Sequence, residues 1–165
     1  MIDSLKALIV TLREELQEYG EMLALLDQQQ NSVLQRAADE LLQTVAEVNG
    51  QGGAIQMARQ RREMCRSEVA RRLGLPDDAP FAAILPRLPA DYRPLVQALV
   101  QENNELLVRV QQRARQNHLL LSRSLELMQR FLSSLFSSGQ SQTYNGSGAV
   151  LAGVVPVRSL YEAVV

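Results

Sequence analysis

The chain has 165 residues, a net charge of −1, one cysteine, one histidine, no tryptophan and only 4% aromatic residues. That length can bury a real core, and a core poor in aromatics must be built from Leu, Val, Ala and Met, which suits helix-on-helix packing better than a β-sandwich. Balanced charge excludes a global field for nucleic acid or anionic lipid, Cys65 alone excludes an internal disulfide framework or a multi-cysteine metal site, and no run approaches the roughly 20 apolar residues of a membrane span.

The amino terminus, "MIDSLKALIV", has neither the cationic start nor the small-residue cleavage site of a signal peptide, so a cytoplasmic protein is expected. From Ser4 onward Leu5, Leu8, Leu12, Leu16, Tyr19, Leu23 and Leu26 recur in steps of three and four, one stripe on one helical face. Asp3 is the expected N-cap. Glu14, Glu15, Glu18 and Glu21 are placed opposite that stripe and read as a solvated acidic face.

The pattern continues through Val33, Ala37, Leu41, Val45 and Val48, and the place of the first reversal is open on local grounds. "NGQGG" at 49–53 carries Asn-Gly and Gly-Gly turn signals. "RAADELL" competes, with Asp39 as the N-cap of a new helix. Leu41, Val45, Val48, Gly52, Ile55, Arg59, Arg62, Arg66, Val69 and Leu73 keep a 4-3 rhythm straight across the glycines, which favours reversal at 37–39 and a second helix from about Asp39 to Leu73. Six arginines fall between positions 59 and 72 without any aromatic; Arg59–Glu63 and Glu68–Arg72 are spaced as i,i+4 pairs, so this run reads as a solvated helix face rather than a nucleic-acid site.

"GLPDDAPFAAILPRLPADYRP" (74–94) holds five of the six prolines and reads as a connector with one helical turn at Phe81–Leu85. A third long helix is predicted from about Asp91 to Leu135. Its seam is Leu99, Asn103, Leu106, Val110, Ala114, Asn117, Leu121, Leu125, Met128, Leu132 and Leu135, a heptad-like repeat that requires partners along its length. Asn103 and Asn117 on that seam read as register-fixing polar positions. His118 reads as a half-buried structural residue, with a phosphotransfer role as the remote alternative. Cys65 reads as a small buried hydrophobe, and the internal methionines Met22, Met57, Met64 and Met128 as core filler.

The expected fold is therefore all-α: an elongated antiparallel bundle of three long helices with a short connector helix (1–136), then a flexible C-terminal tail (137–165). That tail, "SSGQSQTYNGSGAVLAGVVPVRSLYEAVV", begins as a Gly/Ser tether and turns apolar. Leu160, Tyr161 and Val164 stand at helical spacing. Tyr144, between the tether and "NGSG", has no local structural reason to be aromatic and reads as an interface anchor. No phosphate loop, catalytic carboxylate pair, metal-ligand spacing or nucleophile–base arrangement is found, so neither an enzyme nor a cofactor is expected.

Three features coincide: "LLDQQQNSVLQRAADELL", then "RREMCRSEVARRLGL", then "LVQALVQENNELLVRVQQRARQNHLLLSRSLELM" followed by "TYNGSG" and the apolar tail. Their order resembles the FlgN-type flagellar export chaperones over nearly the whole chain, "TYNGSG" being similar to that family's T-Y-x-x-x-G. The resemblance implies reversal at Ala37–Asp39, with the glycines inside the second helix as a departure. It also implies a cytoplasmic chaperone that covers the C-terminal helical segments of hook-associated proteins, prevents their premature polymerisation and delivers them to the export gate. Neither nucleic acid nor membrane insertion enters, and a homodimer is a further candidate arrangement. The candidate partner-binding residues are Leu125, Met128 and Leu132 on the third helix, and Tyr144, Gly146, Gly148, Leu160, Tyr161 and Val164 in the tail. The tyrosine position is associated with gate docking. A structural coiled-coil adaptor without a chaperone cycle is the alternative from another class.

Overall fold

The computed structural model describes residues 1–137. Four α-helices follow in order: α1 (Ile2–Gln35), α2 (Ala38–Arg72), α3 (Phe81–Ile84) and α4 (Arg93–Ser137), with a 3₁₀ turn at Leu85–Arg87 after α3. No strand occurs among the described residues. The chain divides into two compact units, Met1–Arg123 and Ser124–Val165.

In the first unit α1 and α2 form an antiparallel hairpin, its first reversal at Arg36–Ala37 as the rhythm across the glycines requires. The turn is a Schellman motif: the Ala37 N–H donates to Ser32 O (3.0 Å) and the Arg36 N–H to Val33 O (3.2 Å). Arg36 takes the left-handed conformation there, at φ 57°. The second helix ends the same way, with the Leu75 N–H on Ala70 O (2.9 Å) and the Gly74 N–H on Arg71 O (3.0 Å). That turn has a glycine, Gly74 at φ 68°, and Pro76 follows to prevent continuation.

α4 runs parallel to α1 and antiparallel to α2. Two buried asparagines fix this register. Asn103 Nδ2 donates to Leu12 O (2.9 Å) and Asn117 Nδ2 to Leu26 O (2.7 Å), each pair 91 positions apart. Both residues of each set are two heptads apart on their own helix, so the two bonds repeat one geometry.

Two apolar clusters hold the unit together. The larger joins Leu5, Leu8, Ile9 and Leu12 of α1 to Val69 and Ala70 of α2, to Ala79, Ile84 and Leu88 of the connector, and to Val96 and Leu99 of α4. The smaller contains Tyr19, Met22 and Leu26 of α1 with Ile55 of α2, backed by half-buried Val48, Leu106, Leu107 and Val110. The connector is tied to α2 by buried Arg66, whose guanidinium donates to Ala79 O and pairs with Glu63, and by Ser67 Oγ on Asp77 O (2.8 Å).

Several sequence expectations change. Asp3 and Asp39 are not N-caps: Met1 and Ala37 hold those positions without a side-chain cap, and both aspartates lie in first turns, where they favour the positive end of the helix dipole. Glu15 is buried, not part of a solvated face. Arg59 pairs with Glu15 and Glu63 with Arg66, so the anticipated Arg59–Glu63 pair does not form, whereas Glu68–Arg72 does at 2.7 Å. His118 is exposed. Of the internal methionines only Met22 is core; Met57, Met64 and Met128 are exposed. Cys65 is half-buried and free, packed against the larger cluster. The seam of α4 is buried or half-buried at Leu99, Asn103, Leu106, Val110, Asn117 and Leu121, but Ala114 is exposed, as are Leu125, Met128, Leu132 and Leu135. At 45 residues α4 is longer than α1 (34) or α2 (35).

Candidate functional site

Two surfaces present chemistry, one in each unit. In the first unit a cleft of about 660 Å³ opens between α1, α2, the connector and α4. Its apolar lining is Leu12, Phe81, Leu85, Val100 and Leu107. Its wall is a buried polar knot around Glu15. Tyr19 donates its hydroxyl proton to Glu15 Oε1 (2.8 Å) and accepts from Arg59 Nε (2.6 Å). Arg59 Nε also stands 3.6 Å from Glu15, and its guanidinium carbon lies 5.4 Å from the Tyr19 ring centroid, over the face. Arg62 Nε is 3.0 Å from Glu15 Oε2, close but not aligned as a hydrogen bond. The Glu15 side chain is 5% exposed, against 24% for Arg62 and 43% for Arg59. The carboxylate is thus enclosed while both arginine side chains are only partly buried, although the Arg62 Nε itself is enclosed, so one buried charge is held without two fully buried counter-charges.

Burial pushes the Tyr19 hydroxyl above the usual phenol range, and the Glu15 carboxylate adds to the rise against the opposing pull of Arg59. Tyr19 therefore stays a neutral donor at any physiological pH. Asn103 borders the cleft, and its Oδ1, like that of Asn117, is buried without a hydrogen-bond partner among the described residues. The arrangement is a polar brace between α1 and α2. It contains no nucleophile–base pair, and among the described residues no group of His, Cys, Asp and Glu could hold a metal ion.

The second surface lies in the second unit, on the last turns of α4. Every residue of 124–135 is exposed there. Leu125 (59%), Met128 (61%) and Leu132 (45%), the three helical residues singled out from the sequence, share one face with Leu135 in steps of three and four. Leu127 and Phe131 are exposed beside them, at 65% and 62%. Scattered apolar residues on a surface are ordinary, whereas these six lie side by side on the last turns of one helix. The remaining candidates, Tyr144, Gly146, Gly148, Leu160, Tyr161 and Val164, lie outside the described residues.

Sequence reasoning missed Glu15 and its partners. The available signal was the step of four from Glu15 to Tyr19, which places the carboxylate along the apolar stripe rather than opposite it.

Helical packing around two apolar clusters, with an exposed apolar face on α4, defines an all-α helical module. Among the described residues no helix is long and apolar enough to cross a membrane. The family model described as "FlgN protein" matches residues 1–151, through "TYNGSG". The chain belongs to the FlgN family, which are flagellar export chaperones and not enzymes. No curated protein and no solved structure matches it.

Proposed function

We propose that this chain is a cytoplasmic type III flagellar export chaperone for hook-associated proteins, the proteins of the hook–filament junction. It covers the C-terminal helical segments of these clients, prevents their premature polymerisation and delivers them to the export gate. The observation that carries this reading is the apolar stripe of Leu125, Met128 and Leu132, exposed on a helix of a chain whose family is one of export chaperones. An amphipathic client helix lays its own stripe against such a face, and alternate turns supply the anchors. The tail serves the same task from a tether, with Leu160, Tyr161 and Val164 contacting client or bundle at high effective concentration. Tyr144, with Gly146 and Gly148 allowing the backbone to turn, docks on the gate.

Co-purification from cells, with identification of the bound protein, tests the client class. Replacing Leu125, Met128 and Leu132 together with Ser should leave helix content unchanged and weaken client binding at least tenfold. Unchanged affinity would place the client elsewhere. Tyr144→Ala should preserve client affinity and reduce gate affinity with client present, measured by calorimetry. A structural adaptor is distinguished by deletion: clients lose solubility without a chaperone but not without a spacer.

A further inference from the structure

The amino-terminal half of α2 is held far more weakly than the rest of the bundle. Between residues 38 and 54 no hydrophobic side chain is buried; Thr44 is the one buried residue, and its hydroxyl bonds its own helix at Leu41 O (2.8 Å). Residues 55–70, by contrast, bury Ile55, Ala58, Arg66, Val69 and Ala70. Among the described residues the polar side-chain ties from 38–54 to another helix all come from Gln51, which donates to Glu18 O (3.0 Å) and Oε2 (2.7 Å). The helix start at Ala37 has no side-chain cap. Where the two halves join stand Gly50, Gly52 and Gly53, and a Cβ added at any of them meets nothing within 4 Å. Close packing therefore does not require these glycines, although each weakens a helix relative to alanine.

The facing end of α1 is held independently of α2. Asn117 bonds Leu26 O and Gln29 Oε1 (3.0 Å), Arg113 Nε pairs with Asp27 at 2.8 Å, and Arg113 also bonds Gln30. We propose that residues 38–54 open as one unit, hinged at Gly50–Gly53, while α1 and α4 stay paired, and that the open form presents a two-helix groove that accepts an amphipathic helix. The groove is lined by Met22 and Leu26 of α1, which Val48 covers in the closed form, and by Val110 and Asn117 of α4 beside them. Its occupant in the closed form is itself a helix, facing inward with Leu41, Thr44, Val48 and Gln51 at steps of three and four. An incoming helix with Leu or Ile at the Thr44 and Gln51 positions buries more apolar surface and displaces it. The opening belongs to the chain alone; only the identity of the natural incoming helix rests on the chaperone reading.

Hydrogen exchange on the full chain tests the opening. Amides of 38–54 should exchange at least about tenfold faster than those of 55–70, and G50A/G52A/G53A should slow the first set by about tenfold or more while leaving the second nearly unchanged. Equal rates in the two halves, or equal slowing of both, would overturn it. The groove is tested with a labelled synthetic peptide of residues 38–54 carrying T44L, Q51L and the three Gly→Ala changes. It should bind the unaltered chain, and bind the G50A/G52A/G53A chain at least about tenfold more weakly. No binding, or equal affinity for the two chains, would overturn the groove. Absence of client binding in cells would bear on the chaperone reading and leave both results standing.

Discussion

Replacing Glu15 with Ala removes the acceptor at the centre of the polar brace. Tyr19 then loses its 2.8 Å acceptor, and Arg62 and Arg59 lose their counter-charge. Breaking a fully buried ion pair costs about 3–5 kcal/mol. Here the carboxylate is enclosed but Arg62 is 24% exposed and Arg59 43%, so both can recover hydration. That relief lowers the expected loss to about 2–3 kcal/mol, still well above the ~0–1 kcal/mol of a surface pair. For a domain of this size the loss corresponds to a fall in Tm of roughly 6–15 °C. Thermal and urea unfolding followed by far-UV circular dichroism measures it, with Glu14→Ala as the control. Glu14 is 41% exposed and, among the described residues, its only cross-helix partner is the 52% exposed Arg61 at 3.4 Å, so that change should stay within about 0.5 kcal/mol. A double-mutant cycle between Glu15→Gln and Arg62→Gln should give a coupling of about 1 kcal/mol or more. If Glu15→Ala costs no more than Glu14→Ala, the brace contributes nothing and its assignment is wrong.

Three further outcomes follow from backbone and side-chain geometry. Arg36→Gly should stabilise the chain by about 0.5–1 kcal/mol, because a left-handed non-glycine residue is strained by about 1–2 kcal/mol and glycine gives part of that back as unfolded-state entropy; Gly74→Ala, at φ 68°, should destabilise by about 1 kcal/mol although its Cβ meets open space, and denaturant midpoints check both. Asn117→Ala should cost about 1–3 kcal/mol through lost bonds to Leu26 O and Gln29 Oε1, while its exposed counterpart Asn104→Ala stays within about 0.5 kcal/mol by the same assay. The Arg66 guanidinium, chiefly through its hydrogen bond, holds the Glu63 carboxyl below the usual glutamate range. A depressed folded-state value means that this stabilisation is present above the unfolded glutamate value of about 4.3 and is lost as pH falls through the folded one. Glu63 is 49% exposed, so the effect should stay under about 1 kcal/mol, and Glu63→Gln should remove that portion of the acid sensitivity in urea titrations from pH 7 to pH 3.

The sequence by itself determined the helical class, the three long elements and the proline-rich connector, because each rests on local chemistry: steps of three and four, Leu-rich stripes, and prolines that stop a helix. The end of α2 was legible for the same reason, since Leu73-Gly74-Leu75-Pro76 spells a left-handed cap and a stop. The stripe of Leu125, Met128 and Leu132 was legible as a face, but its exposure was not, since periodicity does not tell whether a partner helix covers it.

The first reversal was legible only as a contest between turn signals and rhythm, and only the tertiary structure decided how α4 is oriented and what Glu15 does. At Arg36 the chain turns without a glycine, and at Gly50–Gly53 it continues through three of them. A turn signal weighs about 1 kcal/mol per glycine, less than packing of the α1–α2 hairpin returns, so the rhythm from Leu41 to Leu73 prevails over the local preference. The parallel course of α4 beside α1 follows from a connector packed at the closed end of the larger cluster and from two asparagine bonds spanning 91 positions, which no local pattern encodes. Glu15 has the composition of a solvated residue, and becomes a buried one because Arg59 and Arg62, more than 40 positions away, arrive on the antiparallel helix to meet it.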